Sequence, residues 1–245
     1  MGINSIMSAN DILNRVAVEI GIAPVTDPYS STDPTFIKMK TLLNIAGEEL
    51  VEAHPWEILL KQHQIITTAA DTGIYTLPDD FSHIVNQTGW ERSQRVPLGG
   101  PRTSQEWAYL KGRDFANSSI YIQFRFADGK FQIYPAPPPD GLDINFEYVS
   151  TGWVRSATAD PFTYTDEIIS GDQVPIFNKT LISRYLKVKM LEATGFDTTK
   201  AQADFNQIFA FLTGTEKGAP VLDAGGGRGF PYLGYSNIPD TGYGL

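Results

Sequence analysis

Residues 131–149 read FQIYPAPPPDGLDINFEYV, and residues 73–81 read GIYTLPDDF. In the first stretch, residues 130–134 and 142–149 alternate apolar and polar side chains, the period-two pattern of half-buried strands, and 135–141 is a proline-stiffened link between them. Upstream, Asp128-Gly129 is a tight-hairpin signal. It joins 130–134 to a strand over 120–127, in which Tyr121, Gln123 and Arg125 alternate against Ile122, Phe124 and Phe126. The second stretch adds a strand over 73–77, which Pro78-Asp79-Asp80 ends.

Working outward, β-branched and aromatic residues dominate 61–68. Asp71-Thr72-Gly73 is read as the turn into the next strand, 81–90 as a further strand, and 103–112 as a short helix capped by Thr103 or Ser104. Residues 150–174 show no period and are read as a loop.

Both flanks are helical. Ser8 caps a first helix on which Ile12, Val16 and Ile20 recur every fourth residue, and Gly21 closes it. Asp33-Pro34 supplies an N-cap and a first-turn proline for a second helix. Along it Phe36, Met39, Leu43, Ala46, Leu50 and Ala53 form one stripe, and Pro55 stops it. After the strands, Pro175 is read as restarting helix, with Phe177, Leu181, Tyr185, Val188 and Leu191 on one face up to Gly195. A last helix over 198–212 turns Ala201, Phe205, Ile208 and Leu212 inward.

Each helical block is too short to enclose a core alone, so the first and last are predicted to pack together around a β-rich insertion. The fold class is therefore α+β: a discontinuous helical bundle (residues 1–60 and 171–217), a β-rich insertion (61–170) and an extended glycine-rich C-terminal arm (218–245). That arm holds eight Gly and three Pro in 28 residues, with Phe230, Tyr232, Tyr235 and Tyr243 as candidate partner contacts.

The chain has 245 residues, 42% hydrophobic and 12% aromatic, enough to bury a core. No run of 18 apolar residues occurs, and the opening MGINSIMSANDIL has neither a basic region nor a long apolar stretch. Neither a membrane anchor nor a secretory signal is expected. Met1-Gly2 begins a myristoylation pattern that fails at Ile6, where Ser or Thr is wanted. With no cysteine there are no disulfides and no thiolate sites. A net charge of −9 opposes gripping a phosphate backbone, which rests on Lys and Arg.

No catalytic, cofactor or metal site is read from the residues. Gly225-Gly226-Gly227-Arg228-Gly229 lacks the Lys-Ser/Thr pair of a phosphate loop. His54, His63 and His83 lack the spacing of metal ligands. Asp79 and Asp80 are neighbours on an extended chain and point apart, which suits a solvated turn rather than paired acid-base work. No G-x-S-x-G elbow surrounds Ser8 or Ser170. Trp56, Trp90, Trp107 and Trp153 are read mostly as core anchors; a carbohydrate platform would need them on one exposed face.

The two opening phrases, with the helix ending in Ala53-His54-Pro55-Trp56, resemble the head-to-tail adaptors of short-tailed bacteriophages, the tail tubular protein A-like connectors. The order of elements over residues 8–215 resembles them too. The resemblance implies a virion protein of the head-tail junction, made in the host cytoplasm. It implies a self-assembled dodecameric ring between portal protein and tail nozzle protein, through which genomic DNA passes without sequence-specific binding. It assigns no chemistry to the LPDDF phrase. A neck or tail-completion protein of a long-tailed phage, or a carbohydrate-binding tail module, are the alternative readings.

Overall fold

In the computed structural model the described residues are 6–112, 122–158 and 161–216. They form an α+β fold of five helices and three antiparallel sheets. The first helix, α1 (Ala9–Glu19), starts where the Ser8 hydroxyl accepts the Asp11 amide at 3.2 Å. The second, α2 (Pro34–Ala53), starts where the Asp33 carboxylate accepts the Thr35 amide at 2.7 Å. These caps satisfy amides that have no partner inside the helix. The α2 stripe is buried from Phe36 to Leu50, but Ala53 is exposed, because the helix leaves the core one turn before its end.

A single 3-10 turn (Glu57–Leu59) leads into β1 (Leu60–Ile66). The short strands β2 (Ile74–Thr76), β3 (Phe81–Ile84), β4 (Trp90–Glu91) and β5 (Val96–Pro97) follow. Residues 81–90, expected as one strand, are thus two strands, separated by a turn in which Gln87 has φ 64°. The helix α3 (Ser104–Gly112) opens on a capping box: Thr103 Oγ1 accepts the Glu106 amide at 3.3 Å, and Glu106 accepts the Thr103 amide at 2.9 Å. Then come β6 (Gln123–Ala127), β7 (Lys130–Tyr134) and β8 (Asp143–Ser150).

The β6–β7 turn is the one the sequence announces, with Asp128 at φ 55° and Gly129 at φ 64°. Both central residues of a type I′ turn need that left-handed geometry. Strands β1 and β2 lie in different sheets despite the turn between them. All seven residues of β1 pair with β8, whereas β2 pairs with β7. The larger sheet runs β1-β8-β4-β5, with β3 beside β4 on the same flank of β8; the other is β2-β7-β6.

Residues 150–174 are more ordered than their aperiodic sequence suggests. The strands β9 (Val154–Arg155) and β10 (Tyr164–Thr165) pair, and β11 (Val174–Pro175) pairs with the other edge of β9. Pro175 therefore ends a strand rather than starting a helix. The helix α4 (Lys179–Thr194) begins after Asn178, whose side chain accepts the Thr180 amide at 2.8 Å, and ends at Gly195, left-handed at φ 76°. The last described element is α5 (Thr199–Glu216).

Buried apolar side chains gather in two clusters. One holds α1, α2, α4 and α5 together with Trp56, Trp153, Val154 and Ile168. Trp56 packs edge-on against Phe177 and Phe209 and donates from Nε1 to the Leu50 carbonyl at 2.6 Å. The other is the β cluster, in which Phe131 stacks on Phe124 and packs against Phe146. Strand β8 belongs to both. Ile144, Phe146 and Tyr148 face the β cluster, while Val149, one residue on and on the opposite face, enters the helical one.

Candidate functional site

Two features of the β region stand out, an apolar groove and a carboxylate held at its end. The groove lies between β3 and β6. One lobe, a cavity of about 390 Å³, is lined by Trp90, Leu98 and Phe124 among others. The second, about 650 Å³, is lined by Leu77, Phe81 and Phe126 among others, and the lobes share Ile84 and Pro101. Phe81 and Phe126 touch with ring centroids 5.5 Å apart, so the side chains of the two strands meet beneath the groove. Of the four tryptophans, Trp56, Trp107 and Trp153 are buried, and Trp90, at the groove, is 44% exposed. A flat multi-tryptophan platform is therefore not formed.

The backbone along the groove is only partly paired. Residues 99–102 run beside the first half of β6, where the Phe124 amide donates to the Gly99 carbonyl and the Arg102 amide to the Phe124 carbonyl, both at 2.9 Å. Chain direction then turns into α3. Phe126, two residues past Phe124, turns its N–H and C=O to the same outer side, beyond the reach of 99–102. On the other wall, the Val85 amide donates to the Glu147 carbonyl of β8, so the backbone groups of Ile84 face away from β8.

Asp80 is not the solvated turn residue its sequence setting suggests. Its carboxylate accepts from Lys61 Nζ at 2.6 Å, Ser150 Oγ at 2.6 Å and Tyr148 OH at 3.0 Å, and its carbonyl accepts the Thr151 amide at 2.8 Å. Burial pushes the carboxyl up, but the Lys61 ammonium and the two hydroxyls outweigh it and hold it below the usual carboxylate range. Burial and the bond to Asp80 both raise the Tyr148 phenol. Lys61 also stands over the Tyr164 ring, 4.7 Å from its centroid. The node thus joins β1, β8 and β10 to the turn ahead of β3. Asp79 lines the groove instead; the two carboxylates sit on a turn rather than an extended chain, closed by the Phe81 amide donating to the Pro78 carbonyl at 3.0 Å.

An acidic cleft of about 360 Å³ lies where α2 meets residues 151–167, lined by Glu48, Glu52, Asp166 and Glu167 beside Trp153. Its sign repels phosphate rather than binding it. His54 caps the end of α2 and pairs with Glu216 at 3.4 Å; His63 packs on Phe146, and burial lowers its pKa; His83 lines the groove. Among the described residues no three His, Asp or Glu side chains are grouped to hold a metal ion. No described helix is long and apolar enough to cross a membrane. Phe230, Tyr232, Tyr235 and Tyr243, like the run Gly225 to Gly229, lie outside the described residues, as does Tyr121.

Sequence reasoning found the strands on either side of the groove but not the groove, whose walls come from different sheets. The Asp80 node was missed because its partners lie about 20 and 70 residues away. One signal was present: a carboxylate opposite a Lys and a Ser on neighbouring strands.

No curated protein matches the chain in sequence. A scan against protein-family models matches one described as SU10 adaptor protein, over residues 7–215. That span begins just before α1, ends in the last turn of α5 and takes in both buried clusters. The chain belongs to the SU10 adaptor protein family, a family of phage adaptors.

Proposed function

We propose that the chain is a structural ring subunit between the portal and the tail nozzle of a phage, around a channel through which the genome leaves the head. The helical cluster docks against the portal, the β region faces outward or toward the nozzle, and the segment beyond Glu216 ties neighbouring subunits or partners together. The assembly is a dodecamer, the chain carries no catalysis, and its acidic surface lets DNA pass without sticking.

The observation that carries this reading is the exposed apolar surface of a family member whose copies repel one another by charge. Phe196 is 68% exposed, Phe211 67% and Ile169 70%. A partner that covered these side chains would remove their apolar surface from water. A subunit with net charge −9 then associates when a template sets the order of assembly.

Sedimentation of the purified chain with and without its portal ring tests this. Alone, the chain is expected to run as a monomer or weak oligomer, and with portal it is expected to co-sediment as a ring. Stable rings at micromolar concentration without portal would refute templating, and failure to associate with portal would overturn the reading.

A further inference from the structure

We propose that residues 229–237 of a neighbouring copy add as an extended strand to the open half of β6, lying in the groove between β6 and β3. This rests on the reading of the chain as a self-associating subunit.

The groove has the chemistry of a vacant strand position. Its floor is apolar, made by Phe81, Phe126, Leu77 and Pro101. At Phe126 the outward amide and carbonyl have no partner within the described residues. An extended peptide supplies backbone bonds to such an edge, and its alternate side chains fill the floor. The structure already uses this mode one step earlier, where residues 99–102 bond the outer edge of β6 at Ile122 and Phe124.

Residues 229–237 read GFPYLGYSN, nine residues without a charge. In an extended chain Phe230 and Tyr232 fall on one face, as the groove floor requires, and Leu233 and Tyr235 fall on the other. Pro231 lacks an amide, but alternate residues of a strand bond on alternate sides. With Phe230 and Tyr232 bonding β6, the proline nitrogen faces away.

Length and charge favour a neighbouring copy as the source. Twenty-nine residues follow Glu216. Fully extended they reach roughly 95 to 105 Å, several subunit radii for a chain of this size. That segment carries Lys217, Arg228, Asp223 and Asp240, two charges of each sign. The whole net charge of −9 therefore sits on residues 1–216, and the formally neutral arm is a stretch that a second copy does not repel.

The test uses the full-length chain with p-benzoylphenylalanine in place of Ser82, which is exposed on the groove wall. The same probe in place of the half-exposed Trp90 gives a second site. Equal amounts of ¹⁴N and ¹⁵N copies are mixed, assembled on portal, irradiated and mapped by mass spectrometry. Cross-links from the probe to residues 229–237 are expected in mixed-isotope pairs, and F230D or Y232D in the same chain is expected to lower their yield at least tenfold. Cross-links confined to one isotope, cross-links to other segments, or none from either probe site would overturn the proposal. Sedimentation of the same samples separates the two readings. Portal-bound rings without mixed pairs defeat only the strand addition, whereas mixed pairs in copies that never join portal defeat only the ring.

Discussion

The indole of Trp153 lies against Gly47 of α2, so closely that a Cβ built on the glycine would come within 2.1 Å of a ring carbon. The same indole donates from Nε1 to the Asp166 carbonyl at 2.6 Å and stacks on Phe177 with centroids 6.1 Å apart. A helix that carries a glycine at a buried position accepts a propensity loss of about 1 kcal/mol. Here the loss permits the large ring of residues 150–174 to enter the helical core.

Gly47→Ala is therefore expected to destabilise the fold despite alanine's better helix propensity, by about 1 to 3 kcal/mol, the range for overpacking. Thermal unfolding checks the size. Combining it with Trp153→Leu should give a double variant less unstable than the sum of the two, the sign of direct contact.

Asp80→Asn should cost about 1.5 to 3 kcal/mol at neutral pH, because the neutral amide loses the charge that pairs with the Lys61 ammonium and the other two bonds weaken. The folded-state carboxyl titrates below its unfolded value. Its contribution is therefore complete above about pH 4 and is lost as pH falls through the folded value. Denaturant titrations at stepped pH are expected to show the gap between wild type and variant closing on acidification. A gap that widens there would contradict the assignment.

On α2, Leu43 is fully buried and Leu50 is 1% exposed, so truncating either to alanine should cost about 2 to 5 kcal/mol. Glu48→Ala on the open side should change stability by less than about 0.5 kcal/mol. Lys40, which helical spacing alone would call dispensable, is half-buried and donates to the Tyr29 carbonyl at 2.6 Å. Its alanine variant is expected to lose about 1 to 3 kcal/mol, read from the same denaturation curves.

Deleting residues 218–245 should leave the melting temperature of the remaining chain almost unchanged and impair its capture by the ring's partners. Ordering a glycine-rich arm costs about 1 to 2 kcal/mol per residue, more than four aromatic rings return, so the expectation is that removing it costs the fold nothing. Calorimetry and a portal pull-down on one truncated sample measure both effects. A truncated chain that unfolds, or that docks as well as the whole, would count against the arm.

Elements set by local chemistry were legible. Ser8, Asp33-Pro34 and Gly195 mark helix ends through bonds made within a few residues, and Asp128-Gly129 fixes its hairpin for the same reason. The stripe on α2 was readable to Leu50, because burial there follows the helical period. What escaped depends on distant partners. Strands of two residues such as Val154–Arg155 have no period to detect, and Pro175 stands in a strand because it lies on an outer strand of its small sheet, where a missing amide does no harm. That β2 joins β7 rather than β1 is set by the core around Phe131, which no local signal at Gly73 encodes.

Strand β8 places Tyr148 in one core and Val149 in the next, with a single peptide bond between them. A load applied to the β region therefore reaches the helices through covalent backbone, along a strand paired with β1 from Asp143 to Val149. Tension on the β region would be delivered to the helical cluster without slack, since no flexible linker separates Tyr148 from Val149.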